Sequence, residues 1–585
     1  MRDRIYLVIG ITCLCIFIPS WAQKSQPAEI RTVQPLNTLH VNIVGLPEAP
    51  LQNVFQRLNE KQEALKYDFT TQVLKRFYLD IPDEIRDGIK PYGYFKPKIR
   101  AQLTHQGRVW NSKFIVHPGP RLRFTSLDLQ ITGPGSNDPA YQHFYTNFPV
   151  KPGAYFNATQ YKQAKQKLFQ IAAAHGYFKA KLIKSAIYIN LNTYTARVII
   201  HFYTGPRYYF GGTTFTPTPF AHSFLDRFLD YKKGQHYDQT KVLHTREALA
   251  NSNYFQQVIV TPEINKSSDN LNVPIKIDIT PQLQKQYTFG VGYGSDTGAR
   301  GSVDIDYRWI NRYGHRFSAY LLGSSRNSNL SAAYYIPGSK PDTDQYIFTA
   351  GYLNQNQVTG QGQSVRFSAT YQTVTLGWQQ SVSLTYLRER YALTTLPNIN
   401  SHLLFPTYTV QRISSDNRIN PKNGYSIVGR VNGAYQNVLS STSFAQGRID
   451  TKFLFTLFNT TRFIFRATMG ATAINNIVNL PLSLQFFAGG ANSLRGFTYN
   501  SIGPGKYMFV GSAEIQQKIY GNIYLTGFID CGNVSNNIFH DKLRQGVGPG
   551  LAWLSPVGMF EITVANAITQ PNQPWVVQFS MGPAI

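Results

Sequence analysis

Cysteine is nearly absent from this chain. It occurs 3 times in 585 residues, and Cys13 and Cys15 both lie within the first 22 positions, which read as a removable leader. Cys531 is then the single thiol of the exported chain, so an intramolecular disulfide framework is excluded. Long apolar runs are missing too. Beyond residue 22 no continuous stretch reaches the length of a spanning helix, which argues against a helical membrane protein. A transmembrane barrel stays open, because its alternating strands leave only a weak hydropathy signal. Acidic side chains are scarce: 31 Asp and Glu stand against 57 Lys and Arg, a formal net charge of +26. No dense basic block concentrates that charge, and an export leader argues against a nucleic-acid partner. A basic surface facing anionic lipid or acidic clients fits better. Catalytic signatures are missing as well. There is no His-Glu-x-x-His, no Walker loop and no Gly-x-Ser-x-Gly elbow. The 12 histidines are scattered and read as surface or core residues. No enzyme, cofactor or metal site is expected.

What the chain has in abundance is aromatic residues and glycine: 37 Tyr, 38 Phe and 45 Gly. Aromatic side chains fit a pleated surface, so strands are favoured over helices. At the start, Arg2 and Arg4 precede an apolar core over residues 5–18, followed by Ser20-Trp21-Ala22. That order is a secretory signal peptide over 1–22, with cleavage after Ala22. The alternative, an N-terminal anchor, is weakened by the shortness of the run.

Internal repeats follow. "GYFKPKI" at 93–99 returns as "GYFKAKL" at 176–182 and more loosely as "SNYFQQVIV" at 252–260. The spacing is about 80 residues, the size of one small repeated unit. "PGPRLRF" (118–124) and "TGPRYYF" (204–210) run in phase with it. In the second and third units a helix is expected after a capping residue, Asn157 and Asp238 respectively. The helix after Asn157 carries Tyr161, Ala164, Leu168 and Ile171 on one face, and Gly176 suits its left-handed end. In the first unit Leu51, Val54, Phe55 and Leu58 form the equivalent face. Each unit reads strand, helix, helix, strand pair. This places three α+β modules at 38–117, 118–203 and 204–282.

From residue 285 the period changes to two. Tyr287, Phe289, Val291 and Tyr293 alternate with Thr288, Gly290, Gly292 and Gly294. Val303, Ile305, Tyr307 and Trp309 alternate with Asp304, Asp306 and Arg308, and Trp575, Val577, Phe579 and Met581 with Val576, Gln578 and Ser580. A soluble sandwich alternates as well. Charges of both signs on the polar face, an aromatic-rich apolar face and the export signal favour a membrane barrel. At about 19 residues per strand and connection, 285–585 holds a transmembrane antiparallel β-barrel of roughly 16 strands.

"GGANSLRGF" lies at 489–497, "FIDCGN" contributes Phe528, Asp530 and Gly532, "GSAEIQ" contributes Glu514, and "DNRINPKNGYS" contributes Asp416, Asn420, Pro421 and Gly424. With three modules ahead of a barrel, this set resembles the Omp85 superfamily, and most closely its three-POTRA TamA branch. The resemblance implies that Leu494-Arg495-Gly496-Phe497 is the tip of a loop folded back into the barrel. Asp416, Asn420, Pro421 and Gly424 resemble a family strand-and-turn signature. An arginine in a lumen with little water needs partners, and Asp530 and Glu514 are expected to supply them. The loop is then a structural lock; an external loop with a free arginine is the alternative.

By the same resemblance the protein assembles or inserts clients such as autotransporters into the outer membrane, with its POTRA domains in the periplasm. A TamB-like, inner-membrane-anchored partner is expected on the first POTRA, unfolded outer-membrane client proteins on exposed sheet edges, and outer-membrane lipid around the barrel. The first strand, about 286–295, is expected to pair with the last, about 575–582, in a weak lateral seam. Gly290, Gly292 and Gly294 weaken its first edge, and Val577 and Phe579 mark the other. Alternatives are a two-partner-secretion transporter of the same superfamily, or a passive outer-membrane channel.

Overall fold

The computed structural model describes residues 38–582 except 65–69, 108, 149–150, 268–269, 297, 395–396, 418–420, 538–540 and 556–557. The signal peptide expected at 1–22 lies outside the described residues. Two compact units result. One holds the first two modules; the other holds the third module, the barrel and residues 171–179.

Each module is a three-stranded sheet covered by helices. In the first, Thr38–Val44 pairs parallel with Val109–His117, which pairs antiparallel with Lys98–Gln106. The helix Thr71–Ile89 begins where the Thr70 hydroxyl accepts the Val73 N–H at 3.4 Å. Leu74, Phe77, Ile81, Ile85 and Ile89 recur every three or four residues and are buried together with Val54 and Leu58 of the preceding helix. The second module repeats the order, with Arg123–Thr132 beside Thr195–Tyr203 and Lys181–Asn190 at the far edge. Asn157 Oδ1 accepts the Thr159 N–H at 2.9 Å, as a helix-starting residue does. Tyr161, Ala164, Leu168 and Ile171 are all buried. Gly176 ends the segment at φ +81°.

The third module is built around aromatic rings. Tyr208, Phe210, Phe220, Phe224, Phe228, Tyr231, Tyr237, Tyr254 and Phe255 share one core. Burial pushes the phenols of Tyr231 and Tyr254 up to about 12. The module is fastened to the turns of the barrel. Tyr254 OH donates to the Gly314 carbonyl at 2.6 Å, Arg227 Nη2 to the Pro337 carbonyl at 2.8 Å, and the Ala221 N–H to the Arg312 carbonyl at 2.9 Å. The alternation expected to run through Trp309 stops at Tyr307, where the strand Gly298–Tyr307 ends. Trp309 instead packs on this core, its ring 5.5 Å from Phe220. The aromatic core offers the indole more apolar contact than one more position on the wall.

The barrel is one 16-stranded antiparallel sheet, from Lys285–Gly294 to Trp575–Gly582. Alternation decides which side chains face lipid. Tyr287, Phe289, Val291 and Tyr293 are exposed on the outer wall, while Glu514, Gln516, Asp530, Glu561, Thr563 and Gln578 are buried inward. Closing strands around a lumen is what satisfies backbone groups in lipid. Among the described residues no helix is long and apolar enough to cross a membrane. Between Thr461–Ala473 and Tyr507–Tyr520 the chain leaves the wall. There it forms short turns and a two-stranded ribbon, Phe486–Ala488 with Ile502–Gly505. Phe486, Leu494, Phe497 and Ile502 of this excursion pack on Met508, Val510 and Val534 of the wall.

Candidate functional site

The loop carries Arg495 into the barrel, where it is only 1% exposed. Its partners come from strand register. Ser512 stands opposite Asp530, and Glu514 opposite Phe528, on neighbouring strands. With their inward parity these four side chains make a patch on the lumen wall. On the next strand Gly546 faces Asp530 and Gly548 faces Phe528. A Cβ at Gly546 would lie 1.9 Å from the Arg495 carbonyl oxygen. The missing side chain is what lets the loop backbone reach the wall.

Arg495 uses its whole donor fork there. Nε donates to Asp530 Oδ2 at 2.8 Å and Nη2 to Asp530 Oδ1 at 2.8 Å. Nη1 donates to Glu514 Oε2 at 2.7 Å and to Glu561 Oε1 at 3.1 Å, and Nη2 also reaches Ser512 Oγ at 3.0 Å. The backbone N–H of Arg495 adds a bond to Asp530 Oδ2 at 3.0 Å. The guanidinium lies over the Phe528 ring, 3.5 Å from its centroid. Arg466 contributes a second cation, donating to Glu514 Oε2 at 3.1 Å. Two arginines therefore face three carboxylates. Bidentate, charge-assisted bonds of this kind are the strong ones, and a buried charge tolerates nothing less.

The rest of the motif fits around it. Gly496 has φ +92°, a conformation that costs a glycine nothing, and an added Cβ would sit 3.1 Å from the Ala567 nitrogen. Leu494 and Phe497 are buried in the apolar cluster beneath the loop.

The structure thus brings Leu494, Arg495, Gly496, Phe497, Asp530 and Glu514 together. It adds Glu561, Ser512, the Phe528 ring and Gln578, which the sequence reading does not single out as partners. Inward parity was the signal for Glu561 and Gln578, but choosing them required the register of the last two strands. The turn signature is reached through a relay of side chains. Glu514 Oε1 accepts Gln516 Nε2 at 2.6 Å, Gln516 Oε1 accepts Arg462 Nη1 at 3.1 Å, and Arg462 Nη2 donates to the Pro421 carbonyl at 3.2 Å. Asp416 shapes that turn by accepting the N–H groups of Lys422 and Asn423 at 2.9 and 3.0 Å. Gly424 opens the strand Gly424–Ala434. Asn420 lies outside the described residues.

The seam differs from expectation. The first and last strands end the sheet on opposite sides, and among the described residues no backbone ladder joins them. Among the described residues Ser295 Oγ is the one direct hydrogen-bonding bridge between them, 3.2 Å from the Phe579 nitrogen and 3.4 Å from its oxygen. Two features mark these edges. Gly290, Gly292 and Gly294 leave the inward face of the first strand without side chains to pack. Gln578, an inward residue of the last strand, bonds the loop through its side-chain amide. Val577 points outward and is exposed. A hollow of about 430 Å³ opens at the seam, lined by Val291, Gly292, Tyr293, Arg300, Phe560, Phe579 and Met581.

Periplasmic α/β modules, a 16-stranded barrel and an arginine-bearing loop in the lumen define a class: outer-membrane barrels preceded by POTRA domains. Comparison with known proteins agrees. Residues 310–584 match the Omp85 superfamily domain, 40–118 the POTRA domain TamA domain 1, and 208–282 the surface antigen variable number repeat. The outer membrane protein assembly factor BamA of Neisseria meningitidis serogroup B (strain ATCC BAA-335 / MC58) is 20% identical over 595 residues, covering 85% of this chain and 71% of that protein. BamA of Neorickettsia risticii (strain Illinois) is 23% identical over 392 residues, covering 57% and 49%. The crystal structure of BamA from Haemophilus ducreyi lacking POTRA domains 1-3 shares the fold, with TM-score 0.64 at 18% identity over 79% of this chain and 99% of that one. Residues 310–584 are thus an Omp85 superfamily domain, with the barrel in the outer membrane and the POTRA domains in the periplasm.

Proposed function

We propose that this chain is an outer-membrane assembly factor that inserts or secretes client proteins such as autotransporters. A TamB-like, inner-membrane-anchored partner docks on its first POTRA domain. The observation that carries the reading is the interrupted sheet. Two edge strands of 10 and 8 residues face one another without a ladder. Unpaired backbone groups at membrane depth are costly, and an incoming strand that pairs with such an edge removes the cost. The client therefore gains hydrogen bonds at the position where it meets lipid. Outer-wall aromatics such as Tyr287, Phe289 and Trp575 seat the barrel in that lipid.

The match of residues 40–118 to a TamA-type POTRA model supports the choice of partner. In that module the strand Lys98–Gln106 is a sheet edge with mostly exposed side chains, open to an added strand. A passive channel fits less well, because the loop with buried Arg495 occupies the lumen. Depletion tests the reading: autotransporter levels at the cell surface fall if the protein assembles them. Unchanged levels together with lost uptake of a small solute make it a channel instead.

A further inference from the structure

The lumenal loop touches both free edges of the sheet. On the last-strand side, the Gly496 N–H donates to Gln578 Oε1 at 3.0 Å and Gln578 Nε2 donates to the Phe497 carbonyl at 3.2 Å. On the first-strand side, Asp296 follows directly after Ser295. Its Oδ2 accepts the Ala491 N–H at 2.8 Å. The two attachments are tied within the loop, because the Gly490 N–H donates to the same Phe497 carbonyl at 3.0 Å. A direct bridge between the edges, Ser295 to Phe579, uses the chain neighbours of Asp296 and Gln578. Ser295–Asp296, the loop and Gln578–Phe579 therefore form a closed ring. Gly490 permits the approach: at φ +103°, an added Cβ would lie 2.8 Å from Asp296 Oδ2.

We propose that Asp296 is a positioning residue of the seam. By holding the loop backbone at Ala491, it clasps the first strand to a loop that Arg495 anchors on the far side of the gap. The inference rests on the proposed use of the seam by clients. The clasp explains how two edges without a ladder stay aligned. A carboxylate accepting a backbone N–H is a strong bond for its size, yet far fewer bonds must break than in a full strand pair. Displacing the loop at Ala491 frees the first strand while the Arg495 anchor stays whole. The device separates opening from unfolding.

The test uses the full chain in lipid nanodiscs, with Cys531→Ser and spin labels at Val291→Cys and Val577→Cys. Both labelled positions are outward and exposed. Pulsed electron resonance reads the distance across the seam, and heat-modifiable electrophoretic mobility reports whether the barrel remains folded. With Asp296 native, one narrow distance is expected. Asp296→Ala shifts the distribution to longer and broader distances without changing mobility. Asp296→Asn keeps an oxygen acceptor for Ala491 and restores the narrow peak. If Asp296→Ala fails to fold, Gly490→Ala decides, since it displaces the carboxylate from the loop side and is expected to broaden the peak. An unchanged distribution, or broadening that Asp296→Asn does not reverse, overturns the clasp. A seam that widens as expected in Asp296→Ala, together with full client assembly through a seam locked shut by a cross-link, leaves the clasp standing and contradicts the proposed function instead.

Discussion

Arg495 and Asp530 meet through three bonds: two from the guanidinium at 2.8 Å each and one from the Arg495 backbone N–H at 3.0 Å. One carboxylate thus fixes both the charge of the loop tip and the path of its backbone. Glu514 and Glu561 hold the remaining nitrogen, Nη1.

That division orders the acids by importance. Asp530→Asn is expected to destabilise the folded barrel most, by about 3–5 kcal/mol, the range for breaking a buried ion pair. Glu561→Gln should cost least of the three, because its single bond to Arg495 is the longest of the carboxylate contacts at 3.1 Å. Urea titrations read by heat-modifiable mobility give the ranking; equal effects at all three acids would contradict it.

Arg495→Lys is expected to behave nearly as badly as Arg495→Ala. A lysine keeps the charge but cannot span Asp530, Glu514 and Ser512 with one planar fork, nor stack over Phe528 in the same way. Limited proteolysis within 489–505 should be faster in both variants. A lysine variant with native protection would show that charge alone holds the loop.

Much of this was legible in the sequence, and the reasons are local. Period-two alternation from Tyr287 onward identifies barrel strands because each strand carries its own pattern. Asn157 and Asp238 mark helix starts for the same reason. Arg495, Asp530 and Glu514 stood out because they sit in short recognisable segments. Glu561 and Gln578 did not, since their role depends on how the last two strands are registered against a loop far away in sequence. Trp309 continued an alternating pattern that the fold cuts short, because packing on Phe220 overrides local periodicity. The unpaired seam was hidden too: pattern shows where strands are, and whether the two end strands pair depends on how the whole sheet curves round to bring them together.

Trp309 predicts a second mechanical effect. Trp309→Ala removes the indole from the third module's core and should loosen that module from the barrel turns. Hydrogen exchange of residues 220–228 is then expected to rise by about tenfold or more, since burying a large aromatic side chain is worth roughly 1.5–3 kcal/mol. Unchanged protection would mean that the bonds at Gly314, Arg312 and Pro337 suffice.

The phenols of that module give a pH prediction. Burial raises Tyr231 and Tyr254 to about 12, above the ordinary value near 10. The unfolded chain therefore releases these protons first. Their contribution to stability is complete below pH of about 10 and is lost as pH rises from there through about 12. Absorbance at 295 nm should show a late-titrating group in the folded protein that includes Tyr231, Tyr254 and Tyr237, the last also raised to about 12 by burial, and Tyr231→Phe or Tyr254→Phe should each remove one tyrosine from it.

The most direct measurement is client assembly with the seam locked reversibly. In a Cys531→Ser background, cysteine pairs are scanned around Ser295 and Phe579 until one cross-links quantitatively. The account predicts that oxidation stops autotransporter insertion into vesicles carrying the protein and that reduction restores it. Full insertion through a verified locked seam would contradict it.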